Sequence, residues 1–195
     1  MARRKASRRE QILAALAELL ETAPHERITT AALAKHLGVS EAALYRHFPS
    51  KARMYEGLLE FVEDTIFTNV RAVLNTEPTI EAQCQGILTV FLTFCEKNPG
   101  ITRILIGDAL VGESERLHTR AAQILERLET QLKQAFREAS VRERKLTMLS
   151  VAETSEMLVA MVEGKVRLFV RSGFKRLPST HWPAQWRYLS SQLIR

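Results

Sequence analysis

ITTAALAKHLGVSEAALYRHFPSK, residues 28–51, decides how the rest of the chain is read. Thr29 and Thr30 stand just ahead of Leu33 and Leu37, an apolar pair one turn apart, and either hydroxyl can cap a helix there. Gly38 stops that helix. Ser40 caps another, in which Leu44 and Phe48 share a face, and Pro49 ends it. Two short helices joined by a glycine turn of about three residues form the helix-turn-helix pattern.

Leu33, Leu37, Val39, Leu44 and Phe48 would pin this pair against a preceding helix over residues 8–22. That helix repeats apolar positions at Ile12, Leu13, Leu16, Leu19 and Leu20 and is ended by Pro24. Thr29, Thr30, Ser40, Glu41, Ala42, Tyr45, Arg46, His47 and Lys51 remain for the outside. A helix that enters the major groove needs small residues where it meets the base edges, which Ser40, Ala42 and Ala43 supply. Its flanks meet phosphate oxygens, which hydroxyl and cationic groups bind, as Thr29, Tyr45, His47 and Lys51 can. Glu41 sits awkwardly beside phosphate, though it suits a helix N-terminus.

Charge points the same way. The net charge is +6, and residues 1–9 carry Arg3, Arg4, Lys5, Arg8 and Arg9 with no acidic partner. Such a basic arm could lie along the duplex backbone and supply salt-dependent affinity. No acidic residue follows Glu163, whereas Lys165, Arg167, Arg171, Lys175, Arg176, Arg187 and Arg195 do.

Beyond residue 50 the chain reads as wholly helical. A long helix over about 51–74 carries Met54, Leu58, Phe61, Val62, Ile66 and Val70 along one side. An apolar helix follows around Ile87, Leu88, Phe91, Leu92 and Cys95, closed by the Asn98-Pro99-Gly100 turn. A short helix over 100–107 and an amphipathic one over about 114–138 come next. Residues 140–147 read as a loop, then helices run over 148–172 and about 183–194. The expected division is a DNA-binding unit over 1–50 and a dimerisation and partner-binding unit over 51–195.

The helix over 148–172 is apolar on more than one stripe, so one face would serve a second subunit. Leu158, Met161, Val162 and Phe169, with Trp186 and Leu189 of the last helix, are the expected dimer interface. Ala160 and Gly164, four residues apart, would allow close helix approach.

Several function classes drop out. Hydrophobic residues are 46% and charged ones 26% of 195, an ordinary globular balance. No apolar run approaches the ~20 residues of a membrane span, and the basic start is followed by no apolar signal region. Cys84 and Cys95, on one helix, are separated by roughly 16 Å at about 1.5 Å per residue, too far to pair. The five histidines show no metal spacing, and there is no phosphate-binding glycine loop or nucleophile elbow. Neither enzyme activity, cofactor nor metal is expected.

Residues 28–51 resemble the signature of the TetR family of DNA-binding proteins. "EKNPGITRILIGDAL" and "RLFVRSGFKRLP", outside that motif, are similar to its nucleoid occlusion branch. The resemblance implies an all-α, TetR-like fold of about nine helices. It further implies dimers on double-stranded DNA, one or two to a site. These engage the C-terminal tail of the tubulin-like protein FtsZ and block the division ring over the nucleoid. Phe61, Phe91, Lys97 and Asn98 would line the groove for that tail, with Lys97 where an arginine is expected. The implied location is cytoplasmic and nucleoid-associated, without membrane contact. The alternative is a ligand-responsive repressor with a pocket inside the C-terminal helices.

Overall fold

The structure is a computed structural model that describes residues 6–23 and 28–195. Among the described residues it contains nine α-helices, one 3-10 turn and one isolated β-bridge. The expected all-α class is what is found. The residues separate into two compact units.

The first unit gathers the described residues up to Val62 with Asn98–Ala121. Helix α1 (Arg8–Thr22) begins with a reciprocal cap. The Glu10 amide donates to Ser7 Oγ at 3.2 Å, and the Ser7 amide donates to the Glu10 carboxylate at 2.7 Å. The helix closes at Ala23; the expected break at Pro24 lies outside the described residues. Helices α2 (Thr30–Leu37) and α3 (Glu41–Tyr45) follow, then α4 (Lys51–Thr76), whose first turns belong here. Ile12, Leu16, Leu20, Leu33, Leu44, Phe48, Met54 and Leu58 are buried, each worth about 1.5–3 kcal/mol. Leu37 and Val39 are only partly covered.

Helix α6 (Pro99–Leu105) lies on α1. A Cβ placed on Gly100 would come 2.1 Å from the carbonyl oxygen of Ala17, so only glycine permits this approach. Arg103 is buried beside it. Its Nη1 donates to the Leu20 carbonyl at 2.8 Å and its Nε to Asp108 at 2.5 Å. The guanidinium thus satisfies an orphan carbonyl in the last turn of α1.

The second unit holds Glu63–Lys97 and Ala122–Arg195. Helix α5 (Ile80–Lys97) packs with α8 (Val151–Arg171) and α9 (Trp182–Leu193). Gly86 allows α5 to approach Val73 of α4; a Cβ there would lie 2.5 Å from Val73 Cγ1. Trp182 Nε1 donates to Thr89 Oγ1 at 3.0 Å, so the buried indole keeps a partner. Cys84 and Cys95 are buried free thiols, and burial pushes the Cys84 thiol well up from its ordinary value.

Several boundaries differ from the sequence reading: α3 ends at Tyr45, so Phe48 lies beyond it and Pro49 is not what ends it. Helix α7 (Glu115–Arg142) continues past the expected 138. Ala139 is buried there, and the Ile80 amide at the start of α5 donates to Glu143 just beyond its end at 3.2 Å. Helix α8 starts at 151 because Ser150 and Glu153 close a second capping box. Leu146 and Arg195 exchange backbone hydrogen bonds at 2.9 and 3.0 Å, holding the preceding segment extended.

Candidate nucleic-acid interface

Thr29, not Thr30, caps α2, its hydroxyl accepting the Ala32 amide at 3.1 Å. Gly38 closes the helix in the left-handed region at φ 65°, and Ser40 accepts the Ala43 amide to start α3. These caps fix the angle between two helices too short to be stable alone.

The face they present is tied together. Thr30 Oγ1 donates to the Glu41 carboxylate at 2.6 Å, and the Tyr45 hydroxyl donates to Thr30 Oγ1 at 3.3 Å. This resolves the awkwardness of Glu41, whose charge is held across the helix pair by a hydroxyl. Thr29, Ser40, Glu41, Ala42, Tyr45 and Arg46 are exposed, and Thr30 and His47 are partly so. Tyr45 keeps 44% of its surface in water, too much for a core residue. Thr30, Glu41 and Tyr45 of the sequence-predicted surface are therefore brought together, and its other members on or beside α2 and α3 are exposed or partly so.

Two cations behave differently from expectation. Arg9, counted with the basic arm, donates from Nη1 to the His47 carbonyl at 3.0 Å. Its guanidinium also lies 4.3 Å over the Phe48 ring, so it braces the end of α3. Lys51, expected to meet phosphate, is bonded to Glu113 at 2.7 Å. Neither Arg9 as a brace nor Glu113 as a partner could be read from the sequence, because each contact joins distant positions. Arg3, Arg4 and Lys5 of the arm lie outside the described residues.

The dimer surface needs correction. Leu158, Val162, Phe169 and Trp186 are buried within their own unit, because their stripe faces its core. Met161 and Leu189 stay partly exposed. With Lys165, Gln185 and Tyr188 they line a depression of about 250 Å³. Met157, Ala160, Gly164 and Tyr188 are exposed, and the position a Gly164 Cβ would take is open space.

The partner-groove residues are not equivalent either. Phe61 is 46% exposed in the first unit, and Asn98 there precedes α6 with its carbonyl accepting from Thr102. Lys97 is exposed at the end of α5 in the second unit. Phe91 is 1% exposed and belongs to the core, which removes it as a docking contact. No helix of the described residues is long and apolar enough to cross a membrane, and no metal-binding cluster occurs among them.

Comparison with known proteins covers both units. Residues 12–58 match the bacterial regulatory proteins of the tetR family, and residues 78–194 match the SlmA-like, tetracyclin repressor-like C-terminal domain. The chain is 52% identical to the nucleoid occlusion factor SlmA of Idiomarina loihiensis, over 100% of this chain and 99% of that one. It is 55% identical to SlmA of Alteromonas mediterranea, over 94% of each. Among solved structures, the MbdR regulator of Azoarcus sp. CIB superposes with a TM-score of 0.78 at 18% identity, covering 94% of this chain and 97% of that one. PfmR, a TetR family regulator of Thermus thermophilus, gives 0.76 at 18% identity, covering 95% and 96%.

Proposed function

The chain belongs to the TetR family, with an SlmA-like C-terminal domain, and from that premise we propose that it is a nucleoid occlusion factor acting on FtsZ. It is a DNA-binding regulator and not an enzyme. On this reading a dimer binds specific chromosomal sites. While bound, it engages the C-terminal tail of FtsZ and prevents division-ring assembly over the nucleoid.

The observation that carries the DNA half is the exposed face of α2 and α3. Ser40 and Ala42 leave room at the base edges, and Thr29, Tyr45, Arg46 and His47 surround them with phosphate-binding groups. In this proposal residues 1–50 do the DNA work and 51–195 carry dimerisation and partner binding. Met157, Ala160, Met161 and Gly164 of α8, with Tyr188 and Leu189 of α9, form the pairing face. Two such subunits would offer recognition helices to half-sites about 34 Å apart. Phe61, Lys97 and Asn98 contact the FtsZ tail.

The deciding experiment is capture of FtsZ by the purified protein, with and without a duplex recovered by selection from random sequence. Capture enhanced by that duplex supports the proposal. Firm duplex binding with no FtsZ capture in either case would favour a ligand-responsive repressor instead.

A further inference from the structure

Lys51 stands where α4 begins, the place expected to grip a phosphate, yet its ammonium is already engaged inside the protein. Nζ lies 2.7 Å from a carboxylate oxygen of Glu113 and 5.2 Å from the centre of the Tyr55 ring. The two side chains keep only 20% and 13% of their surface in water, so solvent screens their attraction less than at an open surface. Glu113 sits in the turn between the 3-10 segment Asp108–Leu110 and α7, its amide donating to the Leu110 carbonyl at 2.9 Å. One turn along α4, Glu56 takes Arg53 at 2.7 Å and Arg116 at 3.2 Å. Within this cluster of ion pairs, Glu113 is the carboxylate that holds the lysine.

We propose that Glu113 restrains DNA binding by competing for Lys51: its carboxylate stands in for a backbone phosphate and occupies the ammonium until the duplex displaces it. The inference rests on the DNA-binding reading above. A carboxylate and a phosphate make the same demand on an ammonium, a charge-assisted hydrogen bond of about 2.7–2.9 Å. Lysine is a point charge with rotatable donors and can exchange one anion for the other without realigning a planar fork. The ammonium meanwhile also lies over the Tyr55 ring, a second contact it gives up when it turns to a phosphate. The exchange leaves Glu113 without its cation, close to the incoming phosphates. Every binding event therefore carries an opposing contribution that the sequence alone does not suggest. The same exchange would release the turn before α7 from α4.

The test is a double-mutant cycle on full-length protein, with duplex affinity measured by fluorescence anisotropy across a salt series. The probe is a selected duplex that the wild type binds. Glu113→Gln is expected to tighten binding roughly tenfold by removing the competing charge. Lys51→Met removes the charge but keeps an unbranched apolar side chain, and it should weaken binding and flatten the log–log salt slope by about 0.9, the loss of one phosphate contact. The gain from Glu113→Gln should vanish in the Lys51→Met background, and Glu113→Asp should return affinity toward wild type. Amide exchange at Glu113–Leu117 should quicken when duplex is added. A Glu113 that is only structural would weaken binding and lower the unfolding temperature equally in both backgrounds. The proposal is overturned by that pattern, or by a gain that persists without Lys51. Failure of the wild type to bind any selected duplex would instead sink the DNA reading itself.

Discussion

Gly100 rests on the carbonyl oxygen of Ala17, the point where α6 bears directly on the backbone of α1. A methyl group there meets backbone, which cannot rotate out of the way as a side chain would. Gly100→Ala must therefore push the two helices apart, costing about 3 kcal/mol, the upper range for overpacking. At roughly 2–4 °C per kcal/mol the melting temperature should fall by about 6–12 °C. Calorimetry of the variant checks this, and an unchanged melting temperature would mean the helices are not so tightly joined.

Thr30→Val keeps the shape of the side chain and removes the hydroxyl that joins Glu41 to Tyr45. The bonds are exposed, so stability should change by less than about 0.5 kcal/mol. Duplex affinity should fall about tenfold, or ~1.4 kcal/mol, as the Glu41 carboxylate swings free and Tyr45 loses its anchor. Anisotropy titration beside a thermal melt separates the two effects.

Met161→Glu and Leu158→Ala should fail differently. Met161 borders the exposed depression on α8 and α9, so a charge there should yield a folded monomer that binds duplex weakly. Leu158 is fully buried in its own subunit, and its truncation should cost about 2–5 kcal/mol of stability. Light scattering after gel filtration reads the first and urea unfolding the second. A dimeric Met161→Glu protein would move the interface elsewhere.

Phe61→Ala combined with Lys97→Ala should weaken binding of an FtsZ tail peptide at least tenfold and leave duplex affinity unchanged, since neither residue belongs to the α2–α3 face. Phe91→Ala is expected to destabilise by about 3–5 kcal/mol, because that ring is core. Equal tail affinity for wild type and double variant would remove this surface from consideration.

Glu143 carries a pH signature. Burial works to raise its pKa, but it is held below the ordinary carboxylate value of 4.5. Hydrogen bonds from Arg142 and the Ile80 amide, and the charges of Arg142 and Lys145, outweigh burial. A carboxylate with a depressed folded pKa stabilises the fold above the unfolded value and loses that contribution as pH falls through the folded one. Glu143→Gln should thus cost about 1–2 kcal/mol at pH 7 and nothing once the wild-type carboxylate is protonated. Urea unfolding at pH 7 and at a pH below 4 reads the difference; a cost that does not shrink in acid argues against the linkage.

Local chemistry made most of the fold legible. Ser40 and Gly38 mark helix ends because caps act within a turn of their own position, whereas α3 stops at Tyr45, short of the expected break at Pro49. The boundary near 142 was less visible, since it depends on Glu143 meeting Ile80, whereas the start at 151 follows from the local box of Ser150 and Glu153. The outward face of α2 and α3 could be inferred by subtracting the apolar stripe. Which apolar stripe faces inward could not: Leu158 and Phe91 look the same in sequence whether they meet their own core or another molecule. Lys51 read as a free cation because Glu113 lies 62 residues away along the chain.

The hydroxyl bridge from Thr30 to Glu41 and Tyr45 has a practical consequence for altering site preference. Exchanging α3 for one without the Glu41 carboxylate and Tyr45 hydroxyl would break the tether to α2 and deliver the new side chains at the wrong tilt. The segment 30–45 behaves as one cassette, to be exchanged whole.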